Sequence, residues 1–385
     1  MTPIYPGPDA TLGVMGGGQL GRMFVHAAQR MGFNTAVLEP DANSPAGLVS
    51  HHHIQTDYNN EEGLAQLAKL CAAITTEFEN VPAQALQTLA RTRPVAPSAQ
   101  VVAIAQDRIA EKAHFVACAV PCAPYAVIES AQDLARVSAD LFPGILKTAR
   151  LGYDGKGQTR VNTPDELARA WSKTKAPCVL EKRLPLKDEC SVLVARGWDG
   201  LMVCFAPQRN VHVDGILAAT HAYEENLPEC LVNKALDASK SIASQLSYVG
   251  VLCVEFFVVD DGSADGALVV NEMAPRPHNS GHYTLDACDQ SQFDLQVRTM
   301  AGLPLTQPRQ HSAAIMLNLL GDLWPQSPDW NAVLKLPGAH LHLYGKQHAR
   351  PGRKMGHLTL TAASSAQVQA LARQAASILK LPAPC

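Results

Sequence analysis

The sequence predicts a mixed α/β (α+β) protein arranged in three lobes. Three observations carry this. Strand-like and helix-like patterns alternate over residues 11–90, the pattern becomes β-rich from about residue 191, and a proline-rich stretch at 325–337 reads as a linker into a small terminal piece. In chain order, 11–15 and 35–38 are short apolar runs on either side of 19–31, whose apolar residues recur at helical spacing. Residues 63–71 then read as a helix, 72–76 as a strand and 82–90 as a helix. Such alternation builds a parallel sheet with crossover helices. The helix-like 107–118 opens a second region holding strands at 145–148 and 178–181, with a glycine-rich loop at 151–158. Strands follow at 191–195, 201–205, 249–259 and 267–273, and 366–379 reads as a closing helix.

Composition narrows the function classes. The chain has 385 residues, 47% hydrophobic and 17% charged, which is ample material for buried cores and excludes a disordered chain. Its 32 basic and 35 acidic residues leave a net charge of −3, with no basic excess to hold a nucleic acid backbone. The longest apolar run, 249–259, contains Glu255 and is too short for a membrane span. The amino terminus shows neither a basic n-region nor an apolar core of a signal peptide, so a cytoplasmic protein is expected. Ten cysteines are scattered without a CxxC pair and read as small reduced hydrophobes.

Three features carry chemistry. GGGQLG at 16–21 fits G-x-G-x-x-G between a strand and a helix, where backbone amides can approach a phosphate, and Glu39 ends the next strand where a dinucleotide fold binds ribose. The alternative is a tight strand-to-helix turn. GYDGKGQ at 152–158 places three glycines around Lys156, just after Lys147, as a mobile cover for a polyphosphate; the alternative is an exposed hairpin turn. Glu255 interrupts the apolar strand, where a lone carboxylate is costly. If Val259 pairs with Leu268 on the returning strand, Glu255 lies opposite Glu272, and a slip of one residue would separate them. Two opposed carboxylates beside phosphate oxygens suit Mg²⁺; the alternative pairs Glu255 with a core arginine. The loop APRPHNSGH at 274–282 is rigid and rich in donors, which suits a small anion. His51, His52 and His53 lie consecutively on an expected strand, so their rings cannot converge on a metal.

Together these motifs resemble the ATP-grasp superfamily and, more narrowly, its N5-carboxyaminoimidazole ribonucleotide synthetases. The segments are GVMGGGQLGRM (13–23), TEFENVP (76–82), QDRIAEK (106–112), LKTARLGYDGKGQ (146–158), EKRLPLKDECS (181–191), NVHVDGIL (210–217), NEMAPRPHNSGH (271–282) and YGK with RPGRKMGH (344–346 and 350–357). The resemblance implies a Rossmann-like pre-ATP-grasp domain at 1–108, a lid at 109–186, an antiparallel-sheet catalytic subdomain at 187–334 and a small domain at 335–385. It implies that ATP and bicarbonate carboxylate 5-aminoimidazole ribonucleotide through carboxyphosphate, in a homodimer that binds neither nucleic acid nor membrane.

Carried over by motif, Arg108, Lys112 and Lys147 would hold ATP phosphates, under a lid of Gly152, Gly155, Lys156, Gly157 and Gln158. Glu181, Lys182 and Leu184 would face adenine, and Glu189 with His212 the ribose side. Glu255 and Glu272 would bind Mg²⁺. Arg276, His278 and Asn279 would hold bicarbonate or carboxyphosphate, with Tyr153 and Asp154 at the acceptor. The ribonucleotide would meet Gly18, Gln19, Leu20, Glu77, Asn80 and Ser280, with Lys346, Arg353 and Lys354 near its phosphate; Glu79 competes with Glu77 for the acidic role. Three rivals stay open: a formate-dependent glycinamide ribonucleotide transformylase, a nicotinamide-dependent oxidoreductase, which would leave the carboxylate pair idle, and a catalytically silent nucleotide-binding regulator.

Overall fold

The computed structural model describes residues 1–150, 152 and 157–384. Its strands fall into three sheets that follow chain order. The first is wholly parallel, with strands β1 (Gly7–Met15), β2 (Phe33–Leu38), β3 (His52–Ile54) and β4 (Ala73–Thr76) in the order β3-β2-β1-β4. The end of β1 is buried on both faces, as a parallel strand between crossover helices must be. The helix Gln19–Arg30 buries Leu20, Phe24, Ala27 and Ala28 on the sheet side. The helix Glu61–Leu70 starts where Asn60 accepts from the Gly63 amide at 2.8 Å.

The second sheet is antiparallel: β5 (Tyr125–Ile128), β6 (Gly144–Thr148), β7 (Gln158–Val161) and β8 (Cys178–Lys182), ordered β5-β8-β6-β7. Helix Pro164–Thr174 packs Leu167 and Ala170 against it, begun by Thr163 and by a proline in its first turn.

The third sheet is the largest. It comprises β9 (Leu186–Arg196), β10 (Met202–Cys204), β11 (Gln208–Val213), β12 (Ile216–Ala222), β13 (Gly250–Val259), β14 (Ala267–Ala274), β15 (Ala313–Leu320), β16 (Ala339–Leu343) and β17 (Lys354–Ala362). Its path is β14-β13-β9-β11-β12-β15-β17-β16, with β10 added beside β9. Strand β15 pairs with β12 on one side and β17 on the other, so hydrogen bonding runs unbroken into the C-terminal strands. The proline-rich 325–337 is not a free linker. Trp330–Leu334 is helical, Val333 is fully buried, and Trp324 and Trp330 meet edge to face above β15 and β17. Apolar anchors within a proline-rich stretch override its loop-like composition.

Helix Glu229–Gln245 covers one face of this sheet. Helix Gln292–Ala301 lies between it and the first sheet, sending Leu295 into one core and Phe293, Val297 and Met300 into the other. That shared helix joins the parallel domain to the large sheet.

The β13–β14 hairpin departs from the expected register in an instructive way. Val259 pairs with Ala267, Val258 with Leu268 and Phe256 with Val270, one step off the expectation. Continued without interruption, this register would set Glu255 opposite Asn271. A bulge at Asn271 adds one residue to β14 and brings Glu272 opposite Glu255.

A buried carboxylate pins this hairpin from behind. Glu111, on the helix Arg108–Ala117, is 3% exposed and accepts from the Met273 amide at 2.8 Å. Burial pushes its carboxyl up to about 7, against the pull of Arg108. Folded Glu111 therefore keeps its proton to higher pH than the unfolded chain does, so its cost to stability grows as pH rises from about 4.5 towards 7. Glu111→Gln keeps the acceptor and removes the titration. The melting-temperature advantage of the variant over the parent should widen between pH 5 and pH 8; an advantage equal at both pH values would refute the assignment.

Candidate active site

The site lies where the helix Arg108–Ala117, the second sheet and the β9–β13–β14 face of the third sheet converge. Lys147, on β6, and Lys112 are buried, and Glu181 on β8 lies between them, at 2.9 Å and 3.4 Å respectively. Burial raises the carboxyl of Glu181, yet Lys147 and Lys112 hold it below its usual range, while burial pulls Lys147 down. Arg108 points to Glu272 at 3.5 Å. Three cations thus face one side of a cleft with only two carboxylates directly on them, an arrangement that favours an incoming polyanion. Glu181 faces these lysines with its side chain. The 182–184 segment leads out of β8, with Leu184 half-buried.

On the opposite side Glu255 and Glu272 project from one face of the bulged hairpin. Burial and the facing Glu272 charge drive Glu255 well above the usual carboxylate range; burial also acts on Glu272, but Arg108 holds it down. The Glu255 Oε1 and Asn271 Oδ1 atoms are buried without hydrogen-bond partners. Carboxylate oxygens opposed across a hairpin, one of them orphaned, fit a hard divalent cation. On β9, Glu189 lies 3.0 Å from His212 Nδ1 of β11, beside this pair.

The 274–282 loop follows β14 directly. His278 Nε2 lies 3.7 Å from Glu255 Oε1, and burial together with the Arg276 charge keeps the ring well below its ordinary pKa. Two expectations for this loop change. Asn279 does not offer its amide to an anion: it exchanges two hydrogen bonds with Asn318 of β15, at 2.9 and 2.7 Å. Ser280 is fully buried and bonds Ser191 and His278, so it stands behind the site and not at a substrate. Arg276 is ion-paired to Glu79 and donates to the Pro277 carbonyl at 3.1 Å.

The glycine-rich turn is also occupied from within. Gly17 donates to Glu39 at 2.7 Å, and Gly18 and Gly21 donate to Glu77 at 2.9 and 3.2 Å. A Cβ on Gly16, whose φ is +106°, would come within 2.4 Å of Glu77 Cγ. The glycines admit the protein's own carboxylates; a phosphate on these amides is excluded in this arrangement, since both would need the same N–H groups. Tyr58 caps Glu39 from the far side. Glu77 and Glu79 therefore divide their roles, the first on the turn and the second on Arg276. Leu20 is a core residue beside Phe24, so its side chain is withdrawn from any ligand; Gln19 is half-buried and Asn80 exposed.

The C-terminal strands reach the same region. Lys354 lies close enough to act on Glu79, Glu255 and His278. Lys346 donates to the Lys354 carbonyl at 2.7 Å, and burial followed by Arg353 lowers it to about 8. Arg353 donates to the His348 carbonyl at 2.8 Å. Of the expected lid, Gly152, Gly157 and Gln158 are among the described residues, whereas Gly155 and Lys156, with the acceptor candidates Tyr153 and Asp154, lie outside them.

The histidine triplet makes separate contacts, His51 with Thr35 and His53 with the Glu39 carbonyl. Among the described residues Asp286, His342 and His357 bring ligand atoms within 4.8 Å of one another, but the two rings are stacked 11° from parallel, so their in-plane lone pairs do not meet at one ion.

Sequence reasoning missed Glu111, Asn318 and the row Ser191, Asn210 and Thr220. Each is a buried polar residue; Asn318, inside the apolar AAIMLNLL strand, was the clearest available signal, whereas Asn210 lies in the polar run QRNVHV and gave none.

Comparison with known proteins follows this geometry closely. Family models match residues 9–106 (ribonucleotide synthetase preATP-grasp domain), 113–293 (ATP-grasp domain) and 314–371 (phosphoribosylaminoimidazole carboxylase C-terminal domain). N5-carboxyaminoimidazole ribonucleotide synthase of Brucella melitensis is 43% identical over 360 residues, covering 91% of this chain and 96% of that protein. A solved N5-carboxyaminoimidazole ribonucleotide synthetase, an ADP complex, has a TM-score of 0.90 at 36% identity over 99% of both chains. The Aspergillus clavatus N5-carboxyaminoimidazole synthase in complex with ADP and 5-aminoimidazole ribonucleotide has a TM-score of 0.86 at 32% identity, covering 96% of this chain and 98% of that one. With such identity along nearly its whole length, and with sheets that place the carrying motifs around one cleft, the chain belongs to the N5-carboxyaminoimidazole ribonucleotide synthase family of ATP-grasp enzymes.

Proposed function

We propose that this enzyme carboxylates 5-aminoimidazole ribonucleotide with bicarbonate at the expense of ATP, giving N5-carboxyaminoimidazole ribonucleotide, ADP and phosphate in purine biosynthesis. The observation that carries the reading is the cleft itself, where Arg108, Lys112 and Lys147 face the Glu255–Glu272 pair and His278 adjoins that pair. Bicarbonate is a poor electrophile. A bicarbonate oxygen attacks the γ-phosphorus of ATP, the bond to ADP breaks, and carboxyphosphate forms. The exocyclic amine of the ribonucleotide then forms the C–N bond at the carboxyl carbon, phosphate leaves, and the nitrogen loses a proton.

Within that scheme Arg108, Lys112 and Lys147 orient the phosphates. Glu181 pairs with both buried lysines and holds them at the cleft. The 182–184 segment accommodates adenine, and Glu189 with His212 the ribose. Glu255, Glu272 and the oxygen of Asn271 would hold Mg²⁺, which when bound supplies charge neutralisation at the β- and γ-phosphates. His278 and Arg276 contact the carboxyl donor, while Glu79 fixes the guanidinium plane. Lys346, Arg353 and Lys354 attract the ribonucleotide phosphate, beside the carboxylate-filled glycine turn. The lid residues 152–158 exclude water from the labile carboxyphosphate. A homodimer belongs to the same reading.

Phosphate release from ATP should require both bicarbonate and 5-aminoimidazole ribonucleotide; an equal rate with glycinamide ribonucleotide and formate would overturn the assignment. Glu272→Gln should lower kcat by about 10²–10³-fold with the fold intact, because one lost charge weakens both cation and transition state. Near-normal turnover of a folded Glu272→Gln protein at moderate Mg²⁺ would remove the pair from the metal role. Arg276→Ala should bind ATP normally yet lose most product formed per ATP consumed. A normal product yield with weakened ATP binding would instead reduce Arg276 to a structural partner of Glu79.

A further inference from the structure

Behind His278 runs a row of small polar side chains that no substrate can reach. Thr220 on β12, Asn210 on β11 and Ser191 on β9 lie across adjacent strands, and Ser280 stands two residues past His278; none of the four is more than 3% exposed. The Thr220 hydroxyl donates to Asn210 Oδ1 at 3.1 Å, and Asn210 Nδ2 donates to Ser191 Oγ at 2.7 Å. The Ser191 hydroxyl donates to Ser280 Oγ at 2.9 Å, and Ser280 Oγ lies 2.9 Å from His278 Nδ1. Donor chemistry gives this chain a direction. An amide nitrogen only donates, so the Ser191 oxygen accepts from Asn210 and its proton turns to Ser280. The Ser280 proton is then left for His278 Nδ1. The Ser280 backbone N–H donates to the same ring nitrogen at 3.3 Å, and a backbone amide cannot accept. Nδ1 is therefore the lone-pair nitrogen and Nε2 carries the proton, on the side of Glu255.

We propose that Thr220, Asn210, Ser191 and Ser280 are positioning residues that lock His278 in its Nε2–H tautomer, so that it presents a hydrogen-bond donor and not a base to the carboxyl-donor site. The identity of that anion rests on the proposed function; the tautomer rests on the hydrogen bonds alone. A fixed donor there stabilises the negative oxygens of carboxyphosphate and of the departing phosphate, whereas a lone pair would repel them. The competing account is that these polar groups only satisfy one another in a sheet core. It predicts that their removal lowers stability and leaves the ring unchanged.

Long-range ¹H–¹⁵N spectra of the full-length protein with labelled histidine decide the matter, His278 being assigned by its absence in His278→Asn. The expected wild-type spectrum has Nδ1 unprotonated and Nε2 protonated; a proton on Nδ1 overturns the proposal. Ser280→Ala removes the shorter hydroxyl donor to Nδ1 and keeps only the longer backbone N–H, so it should admit a detectable Nδ1–H fraction and lower kcat about ten-fold, at the low end for outer partners of a site residue, with KM for ATP unchanged. Thr220→Val, remote from the ring, should act in the same direction more weakly, and Thr220→Ser should restore both spectrum and rate. If Ser280→Ala does not fold, the wild-type spectrum and the Thr220 pair carry the test. Pure Nε2–H tautomer with wild-type kcat in a folded Ser280→Ala or Thr220→Val overturns the relay. A wild-type enzyme without ribonucleotide-dependent turnover overturns the proposed function instead, and its histidine spectrum still decides the tautomer.

Discussion

Two carboxylates facing each other across a hairpin are unfavourable unless something answers their charge, and much of the catalytic half of this protein answers it. The bulge at Asn271 sets Glu272 against Glu255. Arg108 then turns towards Glu272, and Glu111 behind it fastens the Met273 amide, so the helix carrying Lys112 is held to the hairpin carrying the pair. Burial and the same opposition drive Glu255 towards its protonated form, while Arg108 holds Glu272 down. The cation proposed for this pair would relieve a repulsion already present between the two carboxylates, and the cation-rich wall opposite suits a polyphosphate.

A second theme is that this protein fills its own anion sites with its own carboxylates. Glu77 and Glu39 accept the amides of the glycine turn, Glu181 lies between the buried Lys112 and Lys147, and Glu79 holds Arg276. Buried donors left unpaired are costly. Tethered carboxylates answer most of this charge in the ligand-free cleft, while Lys112 Nζ and the Nε and Nη1 atoms of Arg108 stay buried without a hydrogen-bond partner. At the glycine turn the consequence is a change of meaning. Glycines that suggest a dinucleotide phosphate instead permit the close approach of Glu77, and the turn presents a carboxylate-lined surface.

The polar interruptions of the large sheet form a third layer. Asn279 and Asn318 brace the loop after β14 against β15, and the row from Thr220 to Ser280 braces His278. Both are buried within the large sheet, and both act by orienting a loop that borders the cleft.

The sequence by itself determined the α/β character, the alternating first hundred residues followed by a β-rich region, and the motif segments that converge on the cleft, although β5, β7, β11, β12 and β15 to β17 gave no signal that was read as a strand. Those are local properties: periodicity, glycine content, and a carboxylate within an apolar strand declare themselves over a few residues. It also sufficed to disperse the histidine triplet, since neighbours on a strand point apart. What only the tertiary structure decided are relations between distant residues. The register of β13 on β14 was open in the sequence; the pairing lies one step from Val259 on Leu268, and a bulge restores the opposition of Glu255 and Glu272, because a single inserted residue reverses which face a side chain takes. Asn279 and Asn318 are 39 residues apart, Glu181 and Lys147 34, Gly17 and Glu39 22, and Gly18 and Glu77 59, and no local pattern encodes such pairs. The proline-rich stretch at 325–337 reads as a linker until Trp330 and Val333 meet the core under β15 and β17, where burial outweighs composition.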